Sequence, residues 1–384
     1  MKILSVIASL VFLAFVPTTT GDYPIPTPLP SGAPGTLVWQ RPLRNGAAIP
    51  GAAQNYLLLY TTVNPRGLRV AVSGTLAIPA GTPPPGGWPI VSWAHGTTGN
   101  APQCAPSRDR TPNVEQRMLA AFVRAGYAVA QTDYEGEGTP GIHPYFVALA
   151  SVHDLTDIVR AARRIDPQIG RRWIVMGHSE GGTAAIAVAA GAAAWAPRLH
   201  LVGAVAYAPA SHIARALLSM ANSRAANAFL PLVAMMVEGI GASDPTIDLT
   251  QVLTQKALRH QAQLQQLCAG TLMHDLWWSA TPTDRYFQKT SAFRALLLDF
   301  KRNDPGELLP TVPLLLVQGS NDSIVDPSMT ADVRAQLCLR GANVTFRRIA
   351  GAGHDGVLQK SLPAVVRWVG ARFAGAPAHS TCDG

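Results

Sequence analysis

Short apolar runs alternate with amphipathic segments along most of this chain. The runs at residues 88–94, 127–132, 201–208 and 312–318 have the length and composition of buried strands. Helical spacing of apolar residues marks the segments 113–125, 144–165, 183–195, 329–340 and 356–373. Strands that alternate with helices in this way form a mostly parallel sheet covered on both faces. The pattern therefore predicts an α/β fold.

Two regions depart from this alternation. Residues 56–63 and 68–78 are rich in strand-forming side chains and are separated by an Asn-Pro-Arg-Gly turn, which predicts an antiparallel pair. From 209 to 310 the sequence has helical patterns at 212–222, 229–239 and 249–269 and no convincing strand. This region begins where a strand ends, and open α/β sheets place their sites there. We therefore expect an inserted helical cap at about 210–300.

Composition narrows the class of protein. The 384 residues are 48% hydrophobic and 14% charged, which is enough to bury a large core in one domain with an insertion. The net charge is +8, but the arginines are scattered or paired and no basic run is interleaved with aromatic residues. This distribution predicts a solvated basic surface and no nucleic-acid partner.

The N-terminus has the pattern of an export signal. Met1-Lys2 precedes an apolar run to Val16, and small residues follow, so we expect a signal peptide at 1–21 and a mature domain at 22–384. The run is too short to span a membrane comfortably, and no later stretch is long enough without a charge or proline. The mature chain is therefore expected to be secreted and to lack an integral membrane segment.

The four cysteines are Cys104, Cys268, Cys338 and Cys382. They form no Cys-x-x-Cys motif and no histidine stands at metal-ligand spacing, so no metal is expected. In an exported protein they predict two disulfides, for which three pairings are possible.

The strongest chemical signal is Gly177-His178-Ser179-Glu180-Gly181, which joins an apolar run at 173–176 to an Ala-rich helical pattern. In a nucleophile elbow the serine adopts a strained conformation, and the residues two before and two after it must lack a Cβ. Gly177 and Gly181 meet that requirement. We therefore predict that Ser179 is a nucleophile exposed above the sheet.

An acid and a histidine follow Ser179 in the order used by hydrolases with this elbow. Asp322 comes directly after the strand at 312–318, and His354 follows the next strand. A neutral imidazole can take the serine proton while a carboxylate fixes its tautomer. We predict the triad Ser179, Asp322 and His354. Asp326 is an alternative acid, and His354 is preferred to His178 because neighbours on an elbow point apart.

Backbone N–H groups that bind a developing oxyanion are the third requirement of this chemistry. The residue after the nucleophile, Glu180, is expected to supply one. The loop His95-Gly96-Thr97-Thr98-Gly99 follows an early strand and is expected to supply the other. The sequence does not choose between Thr97 and Thr98, and a threonine hydroxyl could add a third donor.

These motifs resemble those of the secretory lipases of the α/β-hydrolase fold, which include fungal and actinobacterial members. The resemblance also rests on two other segments, Asp133-Tyr134-Glu135-Gly136-Glu137-Gly138-Thr139-Pro140-Gly141 and His143-Pro144-Tyr145. It implies a helical cap, no metal or cofactor, and hydrolysis of acylglycerols or other carboxylic esters. It points to the disulfides Cys104–Cys268 and Cys338–Cys382. Glutamine is frequent after the nucleophile in this family, whereas this chain has Glu180.

The apolar residues of the expected cap suggest where an acyl chain binds. Phe229, Met235, Trp277 and Trp278 are predicted to line an acyl pocket or a lid, and the alternative is that they form the packing core of the cap. An acyl pocket would suit water-insoluble esters and action at a lipid–water interface. A secreted serine peptidase of the same fold, or a catalytically silent scaffold used for binding, remain the alternative functions.

Overall fold

The computed structural model describes residues 23–382, so the predicted signal peptide lies outside the described residues. A sheet of nine strands forms its centre. The strands are β1 (Leu37–Pro42), β2 (Gln54–Val63), β3 (Arg69–Ile78), β4 (Trp88–Ala94), β5 (Ala128–Thr132), β6 (Ile169–His178), β7 (His200–Tyr207), β8 (Leu314–Gly319) and β9 (Val344–Ile349).

The strand order is β1-β2-β3-β5-β4-β6-β7-β8-β9. Strands β4 to β9 pair in parallel, whereas β1, β2 and β3 form an antiparallel edge. The predicted antiparallel pair and the parallel centre are therefore both confirmed. Strand β1 was not predicted, because an edge strand with no fully buried side chain carries no apolar alternation.

Helices pack on both faces of the sheet. They are α1 (Val114–Arg124), α2 (Ala148–Ile165), α3 (Glu180–Trp195), α12 (Pro327–Leu339) and α13 (Gly356–Phe373). Alternate residues of each strand face opposite helices. In β6, for example, Trp173 and Val175 pack with α2 and α3, whereas Ile174 and Met176 pack with α1 and α13.

A helical segment joins β7 to β8. Its helices are α4 (Ile213–Met220), α5 (Leu230–Ser243), α6 (Leu249–Val252), α7 (Gln255–Leu258), α8 (Gln261–Leu264), α9 (Ala269–His274), α10 (Leu276–Ala280) and α11 (Ser291–Arg302). Within the described residues this segment contains no strand beyond two isolated bridges. It packs around an apolar core of its own, which also takes in residues 145–147.

Two predicted helices were wrong in extent. The helix expected at 144–165 begins at Ala148, because the chain before it turns into the site described below. The helix expected at 249–269 is divided into α6, α7 and α8. Leu253 pairs with Phe287 in an isolated bridge, and Thr254 then caps α7 by accepting a hydrogen bond from Ala257 N–H. The bridge requires extended backbone, which interrupts the helix.

Within residues 23–382 no helix combines the length and the apolar character needed to cross a membrane.

Candidate active site

Ser179 lies on the tight turn between β6 and α3. Its φ of 57° and ψ of −114° are strained for a residue with a side chain. A Cβ on Gly177 would collide with the Gly181 carbonyl, and one on Gly181 would collide with the carbonyl of Ala94. The Ser179 N–H donates to the Tyr207 carbonyl at 2.9 Å, which ties the turn to β7. The two glycines therefore serve the backbone geometry that the motif requires.

Asp322 and His354 meet at the carboxyl ends of β8 and β9. Asp322 Oδ2 accepts a hydrogen bond from His354 Nδ1 at 2.8 Å. Its other oxygen accepts from the N–H groups of Ile324 and Val325 at 2.9 and 3.0 Å. Burial acts to raise the pKa of Asp322, but these bonds and the His354 charge outweigh it and lower the pKa. The carboxylate is therefore held ionised beside the imidazole.

The alternative acid Asp326 and the alternative base His178 make other contacts. Asp326 caps α12 by accepting from Ser328 N–H at 2.8 Å, and it does not contact His354. His178 does lie against the pair, since its ring centroid is 4.4 Å from that of His354. Its Nε2 donates to the His354 carbonyl at 3.1 Å, and burial followed by the His354 charge lowers its pKa to about 3. His178 is therefore a neutral neighbour that orients the His354 backbone.

Ser179 and His354 line the same cleft, which has a volume of about 370 Å³. Within the described part of the chain, the His354 ring makes no hydrogen bond to Ser179 Oγ. Such a contact is often long in a protein without substrate and tightens only in the complex.

Thr97 and Thr98 also line this cleft, and α3 begins at Glu180 beside it. The Glu180 N–H lies in the first turn of α3, where a helix offers no internal partner. The threonine hydroxyls turn toward buried groups: Thr97 Oγ1 lies 2.5 Å from Tyr145 Oη, and Thr98 Oγ1 donates to Glu137 at 3.0 Å. Both threonine hydroxyls, either of which could have been a third oxyanion donor, are therefore hydrogen-bonded to other side chains.

A buried cluster of two histidines and two glutamates lies behind the threonines and was not predicted. His143 Nε2 is 2.7 Å from Glu180 Oε1 and 3.7 Å from Glu137 Oε1. His95 Nε2 lies 3.6 Å from the other oxygen of Glu137. The sequence signal was present in the His143-Pro144-Tyr145 and Asp133–Gly138 motifs, but as family resemblance without an assigned role.

The residues predicted to line an acyl pocket do not line this cleft. Met235 and Trp278 are completely buried in the core of the helical segment, and Trp277 stacks on His260 with ring centroids 3.5 Å apart. Phe229 lies just before α5 and is likewise absent from the cleft wall. Met235, Trp277 and Trp278 belong to the segment's own apolar core, which is the alternative that the sequence left open, whereas Phe229 is only partly buried. Contact of these four residues with an acyl chain stays a prediction. The apolar wall is formed instead by Pro106, Val114, Leu232, Ala269, Met273 and Ile324.

Both disulfides have the pairing that the family resemblance implied. Cys104–Cys268 joins the region after the His95–Gly99 loop to the start of α9. Beside it, the Ala269 N–H donates to the Thr98 carbonyl at 2.8 Å. The helical segment is thus fastened directly to the loop that borders the cleft. Cys338–Cys382 fastens the C-terminal residues to α12.

One group of side chains has the spacing of a metal site. Ligand atoms of His178, His354 and Asp355 lie within 4.8 Å of one another. A cation there would occupy the same imidazole that a serine nucleophile needs as its base.

The chain is similar to known lipases in sequence. The model of the secretory lipase family matches residues 107–381. A Mycobacterium tuberculosis protein named "probable inactive lipase" is 26% identical over 365 residues, covering 90% of this chain and 79% of the relative. A secreted triacylglycerol lipase of Malassezia globosa is 28% identical over 109 residues, covering 26% of this chain and 23% of the relative.

Solved structures show the same fold. Candida antarctica lipase A superposes with a TM-score of 0.75 at 19% identity, covering 92% of this chain and 85% of that one. The rice cell wall degrading esterase LipA of Xanthomonas oryzae gives 0.70 at 21% identity, covering 89% and 98%. The predicted α/β-hydrolase fold is confirmed.

Proposed function

The chain belongs to the secretory lipase family, and from this premise we propose that it is a secreted serine hydrolase that cleaves carboxylic esters such as acylglycerols. The observation that carries the proposal is the strained Ser179 elbow, which opens into the same cleft as the Asp322–His354 pair. Strain of this kind is maintained at sites where it contributes to function.

In the proposed first half-reaction, Ser179 Oγ attacks the ester carbonyl while His354 Nε2 takes the hydroxyl proton. The C–O bond to the alcohol then breaks, and His354 returns the proton to the leaving oxygen. Asp322 holds the Nδ1 proton of His354 and stabilises the imidazolium. The product that remains is an ester between the acyl group and Ser179.

The proposed second half-reaction repeats these roles with water. His354 deprotonates a water molecule that attacks the acyl-enzyme, and Ser179 leaves with the returned proton. In both halves the oxyanion accepts hydrogen bonds from the Glu180 N–H and from the N–H of Thr97 or Thr98. Fixed donors of this kind account for about 10²–10³-fold in rate each.

We assign the helical segment between β7 and β8 the role of a cap that binds the acyl chain. Leu232 from α5 and Met273 from α9 reach the cleft from this segment, and Ile324 faces it from the loop after β8. Ile324 is 44% exposed, which leaves apolar surface free for a ligand. Each buried methylene of an acyl chain contributes about 0.8 kcal/mol to binding.

Secretion is part of the proposal. The predicted signal at 1–21, the family, and the Malassezia globosa relative named as secreted all favour export. Two disulfides with no free cysteine in the described chain suit an oxidising compartment. An extracellular site of action would give the protein access to lipid–water interfaces.

A binding scaffold without activity is the second candidate, and the name of the Mycobacterium tuberculosis relative favours it. The present chain retains the three residue types of the triad and the 2.8 Å bond between Asp322 and His354. Titration with a fluorophosphonate separates the two candidates, because it reacts with an activated serine. A scaffold would leave Ser179 unlabelled.

The deciding experiment measures kcat/KM of the purified protein on p-nitrophenyl esters from acetate to palmitate and on aminoacyl anilides. Ester cleavage with stoichiometric labelling of Ser179 is expected. Faster cleavage of the anilides would identify a peptidase instead. Absence of turnover and of labelling would leave only the scaffold.

A further inference from the structure

The His143–Glu180 contact involves a buried carboxyl group on the residue that directly follows the proposed nucleophile. Both side chains are almost completely buried, and their nearest atoms are 2.7 Å apart. An isolated carboxylate there would oppose the negative charge that develops on the substrate oxygen, because charges interact strongly where water is excluded. His143 is the charged or polar side chain nearest to Glu180 and could compensate this charge.

Hydrogen bonding fixes the proton count of the pair. His143 Nδ1 lies 3.0 Å from the Glu135 carbonyl, which can only accept, so Nδ1 carries a proton. A neutral imidazole would accept a hydrogen bond at Nε2 from a protonated Glu180, and an imidazolium would donate a hydrogen bond from Nε2 to an ionised Glu180. One proton therefore lies between His143 and Glu180 in either case, and the two side chains together carry no net charge.

Burial also disfavours charge on the other half of the cluster. Burial, reinforced by Glu180, raises the pKa of Glu137 well above its usual value. Burial lowers the pKa of His95, whose Nδ1 donates to the Gly96 carbonyl at 2.7 Å. His95 Nε2 lies 3.6 Å from Glu137 Oε2, so two groups whose charged forms are disfavoured by burial face each other.

The cluster also connects the two proposed oxyanion elements. The His143 ring stacks on Tyr145, with centroids 5.7 Å apart, and Tyr145 Oη bonds Thr97 Oγ1 at 2.5 Å. Glu137, which lies 3.7 Å from His143, accepts from Thr98. His143 thus contacts the partners of Thr97 and Thr98 as well as the side chain of Glu180.

We propose that His143 is a positioning residue of the active site: it shares one proton with Glu180, cancels the carboxyl charge beside the oxyanion site, and holds Glu180 in place. The inference rests on the proposed function for its effect on catalysis. It explains how this chain accommodates Glu180 where glutamine is frequent in the family.

The test is a double-mutant cycle of His143→Gln, Glu180→Gln and the double variant, measured on a soluble ester. His143→Gln keeps a donor for Glu180 but removes the compensating charge. We expect kcat to fall about 10- to 100-fold with a much smaller change in KM, because the charge opposes the transition state. Adding Glu180→Gln removes the charge and should restore at least about tenfold of the lost kcat.

The matched control is His153→Gln. His153 is also buried and stacked on an aromatic ring, Trp195, with centroids 3.7 Å apart, but it lies on α2 away from the cleft. We expect wild-type kcat from this variant. A double variant as slow as His143→Gln, or a His143→Gln protein with wild-type kcat, would overturn the charge role.

A second readout does not require activity. In the Ser179→Ala protein, the shared proton should give a downfield imidazole resonance that disappears in His143→Gln and in Glu180→Gln. If folded Ser179→Ala protein lacks this resonance, the inference is overturned even if the wild-type protein cleaves esters. Wild-type ester cleavage by Ser179→Ala would instead overturn the proposed function and leave the resonance in place. This measurement also decides the case if His143→Gln does not fold.

Discussion

The two sides of the cleft are built differently. On the sheet side, Ser179, Asp322 and His354 lie in turns that follow the parallel strands β6, β8 and β9. On the opposite side, the cleft is lined by residues of short helices whose larger side chains pack elsewhere. The register of the strands determines the positions of Ser179, Asp322 and His354, whereas the packing of the helical segment determines which of its side chains line the cleft.

We expect the sheet side to determine the rate of the reaction and the helical side to determine which ester is preferred. The turns on the sheet side are fixed by glycine contacts and backbone hydrogen bonds, so their side chains hold one geometry. Leu232 and Met273 are flexible side chains on helices that are only partly covered. We therefore expect substitutions on the sheet side to change the rate for every ester, and substitutions in the cleft wall to change which ester is preferred.

The largest effect should come from Ser179→Ala. Without the hydroxyl only binding and the oxyanion donors remain, so kcat/KM should fall by about 10³-fold or more for every chain length. Circular dichroism and thermal unfolding should match the wild type, because Ala adds no atom to the turn. A folded variant that retains substantial turnover would remove Ser179 from the proposed mechanism.

The second prediction compares two aspartates four residues apart. Asp322→Asn should lower kcat by about 10²–10⁴-fold, because an amide cannot stabilise the His354 imidazolium and favours the wrong tautomer. Asp326→Asn should change kcat less than about threefold, since Asp326 only caps α12. Equal losses in the two variants, measured on the same ester, would show that the acid is wrongly assigned.

Much of the sheet side could be predicted from the sequence. Residue order places the elbow, the acid and the histidine after three strands of the parallel sheet, and parallel strands bring their carboxyl ends to the same edge. The proximity of Asp322 to the end of β8 was also sufficient to prefer it to Asp326, and the structure joins Asp322 to His354. These inferences needed only strand order and chain direction, which apolar runs reveal.

The rest depended on packing between segments distant in the sequence. Phe229, Met235, Trp277 and Trp278 were predicted to meet the substrate because they are apolar, but the last three belong to the interior of the helical segment. Nor does a sequence pattern reveal that His143 reaches Glu180 across 37 residues. That contact exists because the chain turns at 143–147 before α2 begins.

The third prediction separates the cleft wall from the segment's core. Met273→Trp should reduce kcat/KM for octanoate about tenfold relative to acetate, because the larger side chain fills the space available to a longer acyl chain. Met235→Ala should instead lower the free energy of unfolding by about 2–5 kcal/mol and leave the ratio of octanoate to acetate rates unchanged. An altered ratio in Met235→Ala would return that residue to the acyl site.

Two buried glutamates hold the loop at 95–100 from the two sides. Glu115 on α1 accepts from Gly96 N–H at 3.1 Å and from the Trp93 indole at 2.9 Å. Glu238 on α5 accepts from the side chains of Asn100 and Gln265 at 3.0 and 2.8 Å. Burial raises the pKa of both, and that of Glu115 to about 7. The pH dependence of the free energy of unfolding therefore reports on the contacts that both glutamates make with this loop.

The smallest predicted effect is on the pH dependence of stability. Between its ordinary pKa of 4.5 and about 7, Glu115 keeps a proton in the folded chain that the unfolded chain releases. The free energy of unfolding should therefore fall as pH rises through this window, by an amount on the order of 1–3 kcal/mol.

Urea denaturation at pH 5 and pH 8 should show a smaller fall in the free energy of unfolding for Glu115→Gln than for the wild type. Glu238→Gln should also reduce the fall, because burial raises the pKa of Glu238. Asp326→Asn should leave the fall between pH 5 and pH 8 unchanged, because hydrogen bonds from Ser328 lower the pKa of Asp326 and its carboxylate is ionised in both the folded and the unfolded chain at these pH values. Parallel pH profiles for wild type and Glu115→Gln would mean that Glu115 titrates as it does in the unfolded chain, and that the loop is not held by a buried carboxyl group.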